Sequence, residues 1–156
     1  TSRYAVDILG ELMGRQVLHH LLGSTVARSS VEAAFEGWDG DRIEAYAPDG
    51  SPNRNLLVWT LVWDSEADGG QFFRVASRLA PVLTGHEPAT EQGAHGGRST
   101  ASNDHAAVQV DWWGDLTTVV LDLGAELPAA ERAALVAERA SRTLCSVERW
   151  GYPRAE

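Results

Sequence analysis

Apolar residues recur at helical spacing near the start of the chain: Ile8, Leu9, Leu12 and Met13, then Leu18, Leu21 and Leu22. The pattern predicts a helix over residues 4–22 that stops at Gly23, with Glu11 and Arg15 in the favourable order for an i,i+4 ion pair. A second helix is predicted over residues 26–36. Ser29 or Ser30 would cap it, Val31, Ala34 and Phe35 would face inward, and Gly37 would end it. "GWDGDR" then supplies turn chemistry, because Gly tolerates positive φ and Asp bonds nearby backbone N–H groups.

Beyond this turn the apolar period changes to two. A strand is predicted over residues 42–47, a turn over residues 48–53, and a strand over residues 55–63. This last segment, "NLLVWTLVW", is apolar on both faces: Leu57, Trp59, Leu61 and Trp63 on one, Leu56, Val58 and Val62 on the other. Such a strand belongs in the middle of a sheet with cover on both sides. Asp64 or Ser65 would cap a helix over residues 66–83, weakened at Gly69 and Gly70 by about 1 kcal/mol each against Ala. Residues 84–104 are poor in apolar positions and rich in Gly, Ser, Thr and Ala, which predicts a long flexible loop or insertion. Residues 106–124 read as a hairpin turning at Gly114-Asp115, a register that opposes Val110 to Val119, Val108 to Leu121 and Asp111 to Thr118. Pro128 opens a last helix reaching about residue 146, with Leu135, Val136, Ala140 and Leu144 on its apolar side, and a tail follows from Val147.

These elements predict a single α+β domain over residues 1–156. Two N-terminal helices would precede two ββα units, forming a four-stranded antiparallel sheet with helices packed on one face.

Composition narrows the function classes. The chain has 156 residues and a net charge of −9, which opposes nucleic-acid phosphates and anionic membrane surfaces. All 13 basic residues are Arg, consistent with a GC-rich genome or a high-salt setting. No apolar run is long enough to span a bilayer. The first residue is Thr, which predicts a processed product, a fragment or a trimmed chain, and no signal peptide is visible. Cys145 is the only cysteine, so an internal disulfide and a thiolate cluster are both excluded.

Candidate chemistry is sparse. Asp39, Asp41 and Glu44 resemble the acids of a calcium loop, but position twelve counted from Asp39 is Gly50, so an EF-hand is excluded. Asp39 and Asp41 remain metal candidates beside the simpler reading of a turn held by side-chain bonds to backbone. His86, His95 and His105 lie in or beside the 84–104 segment and would meet a metal only if it folds. His19 and His20 are adjacent on a helix and diverge, so they cannot form the i,i+4 pair of a helical zinc site. No HExxH, GxSxG, Walker loop or dinucleotide fingerprint is present, and no cofactor is implied. Of the six Trp residues, Trp38, Trp59 and Trp63 are binding candidates if exposed and core if not.

Three words carry a resemblance: "DILGELMGRQVL" (7–18), "AAFEGWDGDRIEAY" (33–46) and "LVWTLVWDSEADGGQFF" (57–73). They resemble the C-terminal half of a family of prokaryotic secreted or surface proteins described as zinc metallopeptidases, whose pattern reads LGE, A-x-GW-x-GDR and W-x-x-x-WDS-x-x-DA-x-EF. Leu9, Gly10 and Glu11 match the first word. Gly37, Trp38, Gly40, Asp41 and Arg42 match the second, and Trp59, Trp63, Asp64, Asp68 and Phe72 the third. Gly69 and Gln71 depart from the pattern, and the HExxH helix that would bind zinc upstream is absent.

The resemblance implies a noncatalytic protein-binding or structural domain, or a subunit, of a secreted or surface protein. Its partner would be another protein chain or a second copy, and the first helix is the expected interface because its apolar positions need cover. Two alternatives stand beside this. One is part of a metal-dependent hydrolase site with Glu11, Asp41 and Asp64 as carboxylates. The other is a carbohydrate-binding module using Trp59 and Trp63.

Overall fold

The doubly apolar segment becomes strand β3 (Asn55–Trp63), third in a seven-stranded sheet with cover on both faces. The computed structural model describes residues 2–47, 55–124 and 129–148. In chain order these form β1 (Ser2–Asp7), α1 (Gly10–Leu22), a 3-10 turn (Gly23–Thr25), α2 (Arg28–Ala33), β2 (Trp38–Ala47) and β3. They continue with α3 (Glu66–Ala76), α4 (Leu79–Thr84), β4 (Ala89–Gln92), β5 (Gly96–Ser102), β6 (Ala106–Trp113), β7 (Leu116–Leu123) and α5 (Ala129–Glu148).

Every neighbouring pair in the sheet is antiparallel, in the order β1-β2-β3-β7-β6-β5-β4. On one face Trp59, Leu61, Trp63, Val108, Val110 and Val119 pack under α1 to α4. On the other Leu56, Val58, Ala107 and Val120 pack under Val136 and Ala140 of α5. The class is α+β, but the expected four-stranded sheet with helices on one face is corrected to seven strands with helices on both.

The four strands read from sequence are the contiguous middle of the sheet, β2, β3, β7 and β6. The β6–β7 register is the expected one: Val110 faces Val119, Val108 faces Leu121 and Asp111 faces Thr118. The three missed strands lie toward the edges, where a strand is held by backbone hydrogen bonds and buries few side chains. Strand β4 is exposed at all four positions. The predicted loop over residues 84–104 therefore contains β4 and β5, paired to each other and to β6. The first six residues of α1 as predicted are instead β1 and its exit, and the helix begins at Gly10.

Two other helices differ from expectation. Helix α2 is shorter than residues 26–36 because Val26 and Ala27 are extended, and Ser29 and Ser30 lie inside it rather than capping it. The helix expected over residues 66–83 breaks at Ser77–Arg78. Pro81 gives the reason. It has no N–H for the carbonyl four residues earlier, so the chain restarts and places Pro81 in the first turn of α4. Pro128, the turn at residues 48–53 and residues 149–156 lie outside the described residues.

Gly69 and Gly70, costly by helix propensity, face Trp112. A β-carbon on Gly69 would lie 2.9 Å from the Gly114 carbonyl oxygen and 3.0 Å from Nε1 of Trp112; one on Gly70 would lie 2.9 Å from that ring. The bare first turn of α3 lets the indole lie against it, and Nε1 donates to the Gly114 carbonyl at 2.7 Å. Behind it Phe72 meets Phe35 and Trp59 edge-on, with centroids 5.4 and 5.8 Å apart.

Candidate functional site

The three sequence words meet at Asp41. Its carboxylate accepts the backbone N–H of Leu9 at 3.0 Å, that of Gly10 at 2.8 Å and the indole N–H of Trp59 at 2.9 Å. Helix α1 has no side-chain cap of its own. Asp41, more than thirty residues away on β2, takes that role, satisfying exposed N–H groups and placing a negative charge at the positive end of the helix. Gly10 enters the helix at φ +74°, a conformation that favours glycine.

The remaining word residues fix a second junction. Gly37 turns the chain into β2 at φ +73°, and its carbonyl accepts the N–H of Asp64 at 2.7 Å. Ser65, not Asp64, caps α3: its Oγ accepts the Asp68 N–H at 3.3 Å and donates to the Asp68 carboxylate at 2.5 Å. Asp39 is the extra residue of a bulge between Trp38 and Gly40 and points to solvent.

Glu11, Asp41 and Asp64, the carboxylates of the hydrolase reading, thus have separate surroundings. Glu11 pairs with Arg15 one turn along α1, Asp41 holds three N–H donors, and the Asp64 side chain is exposed. Among the described residues no three His, Cys, Asp or Glu side chains are grouped to hold a metal ion. His86 and His105 are exposed beside chain turns; the His86 N–H donates to Thr84 Oγ1 and the His105 N–H to Asn103 Oδ1. Trp59 and Trp63 are buried in the core, and Trp38 packs partly buried against it. Neither Trp59 nor Trp63 offers a ring to a ligand.

A concavity of about 810 Å³ lies elsewhere, where the β4–β5 hairpin meets the ends of β6 and α3. Its walls include Glu66, Glu91, His95, Arg98, Asp111 and Trp113. His95 Nδ1 lies 2.8 Å from Glu66 Oε1, tying the hairpin tip to the start of α3. Arg98 Nε donates to Asp111 Oδ1 at 2.6 Å, and Gln109 Nε2 donates to the other oxygen at 2.6 Å. Of these residues only His95 was singled out from sequence as a site candidate, and as a metal ligand. The rest were hidden because the hairpin that assembles them has no hydrophobic alternation. The legible signal was the pair of glycines, Gly96 and Gly97, that stands opposite Trp113 and Trp112 in register.

Fold and site together define a domain with one antiparallel sheet between helical layers, its three sequence words spent on internal junctions, and an open polar–aromatic groove beside Trp113. Residues 2–135 match the model of a family described as a domain of unknown function, DUF8575, and the chain belongs to that family. No curated protein matches the chain, and no solved structure does.

Proposed function

We propose that the chain is a noncatalytic protein-binding domain that engages another protein chain through the start of α1. One observation carries this reading. Ile8, Leu12 and Met13 are 69, 67 and 50% exposed. Three large apolar side chains exposed within six residues concentrate at the start of α1, where scattered single ones would need no explanation. Covering a Leu, Ile or Met side chain fully contributes about 1.5–3 kcal/mol, enough for a few such residues to anchor an interface. Met13 adds an adaptable side chain of the kind that suits a binding surface.

The noncatalytic part of the reading is supported by Asp41. A carboxylate that holds two helix N–H groups and an indole N–H is spent on the fold. The secreted or surface setting, and kinship to zinc peptidases, rest on the resemblance of the three words alone.

Native mass spectrometry of the protein from its own source tests the proposal. A second chain should accompany it and be lost in a Leu12→Glu variant that keeps wild-type thermal stability. A bare monomer, unchanged by that substitution, would sink the proposal.

A further inference from the structure

We propose that the groove between the β4–β5 hairpin and the ends of β6 and α3 is a binding site for a neutral saccharide, with the Trp113 indole as its stacking face and Arg98 as its principal donor.

The indole is a prepared surface. Trp113 stands opposite Gly96 across the β5–β6 ladder. A β-carbon on Gly96 would lie 3.4 Å from Cε3 of Trp113, so the bare glycine leaves room for that edge of the indole. Yet the residue stays 55% exposed, in contrast to Trp59, Trp63 and Trp112. A half-exposed indole with few rotatable bonds costs little entropy when a flat apolar surface lies on it. The apolar face of a pyranose ring is such a surface.

The polar groups beside it are also held in place. Asp111 is 4% exposed, and both its oxygens are occupied, one by Arg98 Nε and one by Gln109. Through Nε the buried carboxylate fixes the plane of the guanidinium. The two terminal nitrogens of Arg98 make no protein hydrogen bond among the described residues. They therefore present a fixed fork of donors along the groove wall. Glu91, opposite Arg98 in the β4–β5 register, presents an acceptor beside it, and Glu66, steadied by His95, lines the groove from the start of α3.

The mixture selects the ligand class. A simple anion would suit Arg98 but meets Glu66 and Glu91, and a simple cation meets Arg98. Neighbouring sugar hydroxyls donate and accept at once, so they satisfy interleaved donors and acceptors, while the ring face covers the indole. The net charge of −9 disfavours acidic polysaccharides, which restricts the class to neutral ones. The volume falls within the usual range of small-ligand sites.

The test is NMR titration of the isotope-labelled whole chain with neutral hexasaccharides: cellohexaose, maltohexaose, mannohexaose and chitohexaose. At least one should shift the Trp113 indole N–H and the Gly96 and Gly97 amides saturably, with roughly millimolar or tighter affinity. Trp113→Ala should weaken that binding about three- to tenfold, Trp113→Tyr should recover part of it, and Leu12→Glu should leave it unchanged. The last variant separates this site from the proposed protein interface. No saturable shift from any of the four sugars would overturn the proposal. So would binding that Trp113→Ala leaves intact in a folded variant. A response at Gly96 and Gly97 only to extended peptides would assign the groove to β4-edge pairing instead and also overturn it.

Discussion

The carboxylate of Asp41 and the indole N–H of Trp59 meet at 2.9 Å, on neighbouring strands, while the same carboxylate holds the first N–H groups of α1. This one side chain ties helix, edge-side strand and aromatic core together. Asp41→Ala should therefore lower unfolding free energy by about 2–4 kcal/mol, the range for losing several bonds to a charged acceptor plus a helix cap. Asp41→Asn should cost less, since its carbonyl oxygen still accepts. Urea denaturation midpoints check both. A loss below about 0.5 kcal/mol for the Ala variant would contradict the capping role.

Gly69→Ala decides between local and tertiary control. Helix propensity alone predicts a gain of about 1 kcal/mol. The structure predicts a loss, because the new methyl group would lie 2.9 Å from the Gly114 carbonyl, which is backbone and cannot swing aside. A fall in thermal midpoint, together with a changed near-ultraviolet circular dichroism signal from Trp112, is expected.

Arg132 and Asp122 form an ion pair in which neither side chain is exposed, at 2.9 Å, and Arg132 also reaches the carbonyls of Asp104 and Gly124. The pair fastens the start of α5 to the sheet. Arg132→Met should cost about 3–5 kcal/mol by leaving Asp122 charged and buried. Adding Asp122→Leu to it should recover part of that loss. A double-mutant cycle on chemical denaturation measures the coupling, and strict additivity would refute it.

Alkaline stability should depend on Tyr46. Burial, and then the Glu44 carboxylate, hold its phenol above the ordinary value, against the opposing effect of Arg139, which lies over the ring at 4.0 Å. The unfolded chain releases this proton near pH 10, while the folded chain retains it. The sign follows: the contribution is fully present below that pH and is lost as pH rises from it through the raised folded value. Unfolding free energy measured between pH 9 and 11, or about that interval, should fall more steeply for wild type than for Tyr46→Phe.

The hydrophobic pattern identified β3, β6 and β7 because these strands bury side chains, and burial leaves a period in the sequence; β2 is only partly buried, and only its residues 42–47 carry the pattern. The pattern even set the β6–β7 register through the Gly114-Asp115 turn, since Gly114 takes φ +58° there. The same pattern ran through Ile8, Leu12 and Met13, which face solvent, unlike the core residues Leu18 and Leu22. Ile8 precedes the helix, and Leu12 and Met13 sit six and five residues before Leu18, which at about 100° per residue turns them away from its face.

The sequence by itself determined the α+β class, the middle of the sheet and the local signals at Gly23, Gly37 and Ser65, each a property of a few adjacent residues. Tertiary structure decided the edges of the sheet, the second helical layer, the work of Asp41 and the groove beside Trp113. Edge strands such as β4 are held by backbone bonds to a partner, and backbone bonds have no sequence code. Asp41 and Leu9, like Arg98 and Asp111, become neighbours only when strands distant along the chain pair in register, which local spacing cannot express.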